Sequence, residues 1–253
     1  ASLVGSEMCI RDRQEFYEEQ DSGNELTWAS GNKGFKWAMS EAATEDYPTT
    51  QIDNGKTGKC VKLETRLTGD LGNMVGMPIA AGNLFIGSFD MLNAITNPLS
   101  ATRFGTPFYN KPLRLTGYYK YKAGEQFYEN GEYTSRKDIF NIYAIFYDGV
   151  KYDSAGKGTD VTLDGNLPNQ NYEHSSMVAL ALVSNPQETE GDEWKFFDIP
   201  FDYQRYGKKI DEARLAKGEY KIGIIFASSK DGATFEGAPG STLLIDEVEL
   251  IYE

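Results

Sequence analysis

Apolar and polar residues alternate along several short stretches of the chain, and a period of two is typical of half-buried β-strands. Within residues 60–67, the odd-numbered positions are predicted to face a core, whereas Lys62, Glu64 and Arg66 face away from it. Residues 113–121 alternate in the same way. Five more apolar stretches lie between loops of Asp, Gly, Asn and Ser, and they are predicted as strands at 138–147, 177–183, 194–201, 219–227 and 242–252.

The last of these strands stops one residue from the end of the chain and follows a loop rich in Gly, Ala and Pro. So apolar a closing strand has to pair with strands formed earlier, as in a sandwich or jelly roll. The spacing predicts an all-β domain of eight to ten strands in two sheets. A short helix is predicted over 208–217, before Gly218.

Two regions are predicted as loops. Trp28 and Trp37 lie on either side of a Gly/Asn turn. Residues 69–112 form a long region rich in Gly, Pro and Asn, and loops of this length often have a function. Large rings in a loop have two interpretations. They either close the edge of a sandwich core or leave one ring face open for a flat partner such as a sugar.

The N-terminal stretch differs from the rest. Residues 1–13 look like translated sequencing-adapter DNA of the kind found at the ends of genes from metagenomic reads, so they are left out of the fold prediction. On this interpretation Cys9 is not native, and the native N-terminus with any export signal is missing. Residues 14–27 are predicted to be a polar lead-in or linker, and residues 28–253 the β domain.

Composition excludes several classes of function. The net charge of −13 disfavours nucleic acid and anionic membrane surfaces, both of which need clustered Lys and Arg. Two Cys make neither a disulfide framework nor a zinc site. No apolar run approaches the roughly 20 residues of a membrane span.

Several motifs occur in order along residues 27–252. They are Trp28-x-x-Gly-Asn-x-Gly34, Ala80-Ala-Gly-Asn-Leu-Phe-Ile-Gly87, Phe104-Gly-x-Pro-Phe108, Pro112-Leu-Arg-Leu-Thr-Gly-Tyr-Tyr-Lys-Tyr121 and an ending that runs from Ser228-Ser to Asp246-Glu247. Together they resemble the putative carbohydrate metabolism domain family, found mainly as exported lipoproteins of Gram-negative gut bacteria.

The resemblance implies a two-sheet jelly-roll sandwich similar to carbohydrate-binding modules. It also implies a protein that handles glycans at the outer-membrane surface or in the periplasm, held by a lipid anchor through the missing N-terminus. Family members often carry a preceding immunoglobulin-like domain, which this sequence lacks. The resemblance leaves open whether the role is binding or catalysis.

Sugar sites in β-sandwiches combine an aromatic platform with planar polar side chains that hydrogen-bond to adjacent hydroxyls. Strand parity puts Tyr118 opposite Tyr119 and Tyr121, so Tyr118 is predicted to be exposed and the other two to be core. The candidate carbohydrate-binding residues lie in or beside the motifs: Trp28, Asn32, Trp37, Arg66, Asn83, Phe85, Tyr118, Tyr119 and Tyr121.

Catalysis has less support in the residues. A glycosidase needs two carboxylates at a set distance, and Asp246 and Glu247, adjacent on a strand, point to opposite faces. The single His, His174, lies in a polar loop and is interpreted as a bystander. No organic cofactor is expected. Jelly rolls of the binding-module type often hold a structural Ca²⁺ through an Asp near the last strand, which makes Asp246 the candidate metal ligand, with a turn-capping role as its alternative.

Three hypotheses follow. The first is a non-catalytic glycan-binding module of an exported polysaccharide-utilisation protein, with an oligo- or polysaccharide as partner. The second is a glycoside hydrolase or another polysaccharide-active enzyme. The third is a structural or adhesive module that binds proteins, which a broad, flat apolar patch would favour.

Overall fold

The computed structural model describes residues 2–3 and 27–253. Its strands are β1 (Ser2–Leu3), β2 (Trp28–Ala29), β3 (Thr49–Ile52), β4 (Cys60–Glu64), β5 (Arg66–Leu67), β6 (Ile79–Ala80), β7 (Asn83–Phe89), β8 (Thr102–Phe104), β9 (Thr106–Phe108), β10 (Pro112–Lys122), β11 (Phe127–Glu129), β12 (Glu132–Thr134), β13 (Asn141–Asp148), β14 (Val150–Tyr152), β15 (Gly158–Asp160), β16 (Leu163–Asp164), β17 (Met177–Leu182), β18 (Lys195–Pro200), β19 (Tyr220–Ala227) and β20 (Thr242–Tyr252). The α-helices are α1 (Asn32–Ala38), α2 (Gly69–Met74), α3 (Met91–Thr96) and α4 (Glu212–Leu215). Single 3₁₀ turns lie at Thr44–Asp46, Pro98–Ser100, Pro168–Gln170 and Gly232–Thr234.

Two antiparallel sheets make up the body of the protein. The six-stranded sheet has the order β18-β10-β20-β4-β3, with β1 beside β20. The eight-stranded sheet has the order β16-β8-β7-β19-β13-β17, with β2 beside β7 and β9 beside β19. Consecutive strands are often not neighbours in a sheet, because the chain crosses repeatedly from one sheet to the other.

The main core lies between the two sheets. The six-stranded sheet contributes alternate side chains such as Leu63, Leu115 and Leu243, and the eight-stranded sheet contributes Ile142 and Phe226, all of them buried. This burial removes apolar surface from water at about 25 cal/mol per Å² and is the principal stabilising contribution. The predicted all-β, two-sheet jelly-roll sandwich is confirmed.

A second apolar cluster lies on the outer face of the eight-stranded sheet. Phe85, Tyr143 and Ile225 belong to it, together with Leu167 and Tyr172 from the segment that links β16 to β17. A sheet with both faces buried has continuous apolar runs instead of alternation. Leu84, Phe85 and Ile86 form such a run in β7, and all three are fully buried.

The prediction that residues 28–37 and 69–112 form loops is wrong. Residues 28–37 contain β2 and most of α1, and residues 69–112 contain two helices and the central strand β7. Helix α1 has a poor local sequence, with a Gly inside seven residues, so it depends on tertiary contacts. Asn32 provides one of them. The strand β7 was missed because its short apolar run shows no alternation and lies inside a stretch rich in Gly, Pro and Asn.

Strand β20 has one fully paired edge and one partly paired edge. It pairs along its whole length with β10. On its other side, β4 pairs only with Thr242–Ile245, and β1 takes the same edge at Leu250 and Ile251. Near the C-terminal end of β20, the pairing on that edge is therefore made by the two-residue strand β1.

Candidate functional site

The serines of the C-terminal motif belong to a buried polar network. Asp138 is 2% exposed, and its Oδ2 accepts hydrogen bonds from Ser229 Oγ (2.6 Å), Ser241 Oγ (2.7 Å) and Ala238 N (2.8 Å). Burial raises the pKa of the Asp138 carboxyl, although these donors act in the opposite direction. Thr65 Oγ1 continues the network at 2.6 Å from Ser229 Oγ. The motif therefore ties the loop before β20 to both sheets.

Two candidate asparagines also hold the backbone in place. Asn32 is buried, and its amide accepts from Thr49 N (3.0 Å) and donates to Thr49 O (2.8 Å), which fixes α1 to β3. Asn83 Oδ1 accepts from Gly31 N (2.8 Å). Gly82, beside Asn83, has no room for a side chain, because a Cβ there would lie 2.3 Å from Glu64 N. These motif residues shape the loops around α1.

Three of the candidate aromatics are packed in the main core. Trp28 stacks on Phe226 with ring centroids 6.0 Å apart. Tyr119 and Tyr121 lie 4.7 Å and 4.9 Å from Phe140, and both are buried. Their predicted core position is confirmed. The buried rings of Tyr119 and Tyr121 offer no open face for a sugar, and Trp28 is half-buried with one face against Phe226.

Three other candidates line a cavity on the outer face of the eight-stranded sheet, which we call the cap cavity. Helices α1, α2 and α3 cover it, and its volume is about 170 Å³. Trp37, Asn83 and Phe85 contribute to its walls. Trp37 is 37% exposed at the rim, whereas Phe85 is fully buried on the floor.

Arg66 lies in a separate groove of about 640 Å³ on the other side of α1, which we call the arginine groove. Its guanidinium contacts Glu64 Oε2 at 3.2 Å and Asp46 Oδ1 at 3.7 Å. The Arg66 Nε is buried and has no hydrogen-bond partner among the described residues. The wall of the groove thus carries Arg66 and three acidic residues, of which Glu64 and Asp46 contact its guanidinium and Glu41 is the third.

The remaining candidate, Tyr118, lies on the outer face of the six-stranded sheet, where sequence parity predicted it. It pairs across strands with Phe196, and the two ring centroids are 5.1 Å apart. Phe196 is 57% exposed. Trp194 follows on the same face, and Lys120 Nζ lies 5.0 Å from its ring centroid. We call Trp194, Phe196 and Tyr118 the aromatic strip.

Charged side chains flank the aromatic strip. Arg114 Nε donates to Asp198 Oδ1 at 2.6 Å, and Lys56 Nζ lies over the Tyr118 ring at 4.1 Å from its centroid. Beyond Phe196 and Asp198 a groove of about 440 Å³ opens at the edge of the sandwich. Its polar side chains include those of Asn185, Asp202 and Arg205.

Phe196 and Trp194 were missed as site residues, although the sequence held a signal for one of them. Two consecutive Phe residues, Phe196 and Phe197, occur in a predicted strand, and neighbours on a strand face opposite sides. One of the two rings therefore had to leave the core. Which one leaves depends on the facing of the sheet, and that becomes known only when Phe197 is seen in the core.

The comparison with known families agrees with the resemblance seen in the sequence. The model of the putative carbohydrate metabolism domain (PCMD) matches residues 7–251. The chain belongs to this family. The family description connects PCMD proteins with carbohydrate metabolism.

Two solved structures are similar to this PCMD chain. A putative glycoside hydrolase from Bacteroides vulgatus is 51% identical, with a TM-score of 0.84, over 93% of this chain and 90% of its own. A putative glycoside hydrolase from Bacteroides thetaiotaomicron is 48% identical, with a TM-score of 0.81, and the match covers 93% of this chain and 66% of that one. The chain thus spans about two thirds of the second structure. A comparison with curated proteins gave no match.

Asp246, the candidate calcium ligand of this PCMD chain, caps a turn. Its Oδ2 accepts from Thr57 N (3.0 Å) and its Oδ1 from Glu247 N (2.8 Å). Within residues 27–253 no group of three His, Cys, Asp or Glu side chains could hold a metal ion. Calcium at Asp246 would therefore need ligands beyond a cluster of three such side chains, and it stays a prediction. Burial raises the pKa of the nearby Cys60 thiol to about 12, so this thiol is not an activated nucleophile.

The helices that cover the cap cavity carry apolar side chains on their outer surface. These exposed residues are Trp37, Leu71, Met74, Val75, Leu92 and Ile95. Such a patch is the feature that the adhesive hypothesis requires. None of the helices in the described part of the chain has the length and apolar character to cross a membrane.

Proposed function

We propose that this PCMD chain binds an oligo- or polysaccharide on the aromatic strip without cleaving it. The observation that carries the proposal is the exposure of Phe196 beside Tyr118 on a sheet face where charged side chains flank the two rings. A cluster of large rings that remains partly in water and is bordered by polar groups is typical of a binding surface. The family description supports a carbohydrate as the partner.

The shape of the strip suits an extended ligand. Facing pairs of β10 and β18 follow one another along the outer face, from Lys120 beside Trp194, through Tyr118–Phe196, to Thr116–Asp198 and Arg114–Pro200. At about 3.3 Å per residue, the six steps from Lys120 to Arg114 span roughly 20 Å. A surface of this length accommodates several sugar rings in a row.

The chemistry of the strip suits a sugar. The C–H faces of a sugar ring pack on an aromatic face, and carboxylates, amides and guanidinium groups form paired hydrogen bonds with hydroxyls. Phe196 provides the open ring, because Lys56 already covers one face of Tyr118. Asp198 lies one outer-face pair further along, and Arg114 lies two pairs further along. Asn185 and Arg205 extend the polar groups into the edge groove.

The test is affinity electrophoresis of the full chain through gels cast with plant, host and microbial polysaccharides. Retardation in one gel is expected for the wild type. Phe196→Ala is expected to weaken binding twofold to tenfold, which corresponds to about 0.5–1.5 kcal/mol for one aromatic contact. Tyr133→Ala is the matched control, because Tyr133 is similarly exposed on β12, outside the strip.

Two results would overturn the proposal. One is a folded wild type that no polysaccharide retards, which would turn attention to the apolar patch and protein partners. The other is retardation that Phe196→Ala leaves unchanged, which would move the site away from the strip. Circular dichroism of each variant separates loss of binding from loss of fold.

A glycoside hydrolase is the second candidate function, and the arginine groove is the observation that favours it. Glycosidases act through two carboxylates, and Glu64 and Asp46 both contact Arg66 there. The two similar structures carry the name of this activity. The groove, at about 640 Å³, has the size of a small-molecule site.

Reducing-sugar release from the polysaccharides of the same panel tests this second function. Glu64→Gln and Asp46→Asn should abolish release if the groove is catalytic, whereas Glu45→Gln, outside the groove, should not. Release by the wild type that survives both groove variants would exclude this pair. Absence of release with a polysaccharide that binds would leave binding as the function.

The proposal includes a location. A protein that captures polysaccharide meets it outside the cytoplasm, so we expect export to the outer-membrane surface or the periplasm through a lipid anchor. Protease accessibility on intact producing cells, compared with lysed cells, distinguishes the surface from the periplasm.

A further inference from the structure

The cap cavity lies on the opposite side of the sandwich from the aromatic strip, and its floor is the outer face of the eight-stranded sheet. Phe85, Ile225 and Tyr143 are lateral neighbours on β7, β19 and β13, and they form an apolar row on this floor. The helices α1 to α3 form the roof, with side chains such as Met91 and Ile95.

The next row along the same three strands is different. Asn83 and Asn141 flank Ala227, whose small side chain leaves space between the two amides. Asn141 is only 3% exposed, and its Nδ2 donates to Tyr172 Oη at 2.9 Å. Its Oδ1 has no hydrogen-bond partner among the described residues. Polar atoms at buried positions normally have a hydrogen-bond partner, so a donor on a molecule in the cavity would be favourable for this oxygen.

Two residues with hydroxyl groups, Thr102 and Tyr143, also line the cavity. Thr102 Oγ1 is buried without a hydrogen-bond partner in the described part of the chain. Tyr143 is buried on the floor, and within residues 27–253 its hydroxyl makes no hydrogen bond. Burial raises the pKa of the Tyr143 phenol, so this hydroxyl keeps its proton and remains a donor. Polar groups on three strands thus surround one apolar space.

We propose that the cap cavity binds a small, uncharged and mostly apolar molecule that carries a hydroxyl group, such as a phenol or a cyclic alcohol. The volume of about 170 Å³ fits, because a cavity of about 150 Å³ can hold a benzene ring. A charged ligand is disfavoured, since Lys230 is the single charged residue in the lining and its side chain is exposed. The ligand hydroxyl would donate to Asn141 and accept from Tyr143.

Isothermal titration of the full chain with phenol, cyclohexanol and toluene tests this proposal. Saturable binding of phenol and cyclohexanol is expected, with toluene about twofold to tenfold weaker for want of a hydroxyl. Ala227→Leu should abolish binding, because the larger side chain fills the space between the two amides. Ala216→Leu, on an exposed position after α4, is the matched control.

Tyr143→Phe provides a second route if Ala227→Leu does not fold. It keeps the ring on the floor and removes the hydroxyl that would donate to the ligand, so phenol should bind a few-fold more weakly while toluene is unaffected. The proposal is overturned if no probe binds to the folded wild type, if toluene binds as tightly as phenol, or if the folded variants bind phenol as the wild type does.

Discussion

On the outer face of the six-stranded sheet, Phe196 is exposed, Tyr118 is half-buried, and both lie beside charged side chains. On the outer face of the eight-stranded sheet, Phe85 and Tyr143 lie under three helices and the segment between β16 and β17. Both faces use aromatic rings on β-strands. They differ in whether the segments between strands cover them. The outer face of the six-stranded sheet is open, and that of the eight-stranded sheet is covered.

The difference determines the size of ligand that each face can take. An open strip can accept a long, flat ligand and lose it again, because only one side of the ligand leaves water. A covered face offers a closed apolar space that excludes anything larger than its volume. Aromatic residues on the open face are therefore free to serve binding, whereas the same residues on the covered face also stabilise the fold.

The largest expected effect on stability comes from replacing one phenylalanine by alanine on each of the two faces. Phe85→Ala should lower the free energy of unfolding by about 3–5 kcal/mol, because it empties a packed site. Phe196→Ala should change it by no more than about 0.5 kcal/mol, as for most surface positions. Urea denaturation of both variants measures the contrast, and equal losses would mean that the strip is also packed.

The next largest effect concerns the buried polar network around Asp138. Asp138→Ala should lower the free energy of unfolding by at least about 2 kcal/mol, since several buried donors lose their acceptor. Asp192→Ala, whose side chain is fully exposed, is the control and should have little effect. If the two variants proved equally stable, the network would not hold the loop before β20.

A smaller effect is expected from pH. The pKa of Asp138 is raised above its ordinary value of 3.8, so the folded state binds this proton before the unfolded state does. Wild type should therefore gain stability relative to Asp138→Asn as the pH falls through the raised pKa, and the gain should level off below 3.8. Glu129, Glu188 and Glu219 have lowered pKa values and give the opposite slope, which cancels in the comparison. If the stability difference between wild type and Asp138→Asn did not change with pH, the prediction of a raised Asp138 pKa would be wrong.

The smallest effect tests how open the strip is. Lys56→Ala removes the ammonium from above Tyr118 and should cost about 0.5–1 kcal/mol of stability. It also uncovers a second ring face, so glycan affinity should rise by up to about twofold. Affinity electrophoresis of Lys56→Ala beside wild type measures this, and weaker binding would indicate that Lys56 itself contacts the sugar.

Most of the longer strands of the two sheets could be predicted from the sequence, including β13, β17 and β19, which are buried on both faces, whereas β7 could not. The alternation in residues 113–121 correctly assigned Tyr119 and Tyr121 to the core and Tyr118 to the outside. The run around Phe85 has no alternation, because helices whose own sequences are weak cover its second face. Those helices are stabilised by contacts such as Asn32 with Thr49, which no local pattern reveals.

The candidate site was harder to predict than the fold for a related reason. Motif residues such as Asn32, Asn83 and Ser229 hold loops in place, so a motif here reports on the structure of the family more than on its ligand. Tyr118 alone of the candidates lies on the strip. Its partner Phe196 comes from β18, 78 positions later in the sequence, and only the strand pairing reveals their proximity.

The partly paired edge of β20 has a consequence for handling the protein. Ser2 and Leu3 pair there through main-chain atoms, a contact that any extended segment can reproduce. A truncated form that begins at residue 14 would leave Leu250 and Ile251 without this neighbour. Open strand edges invite edge-to-edge self-association, so such a form should sediment as dimers or larger species as its concentration rises.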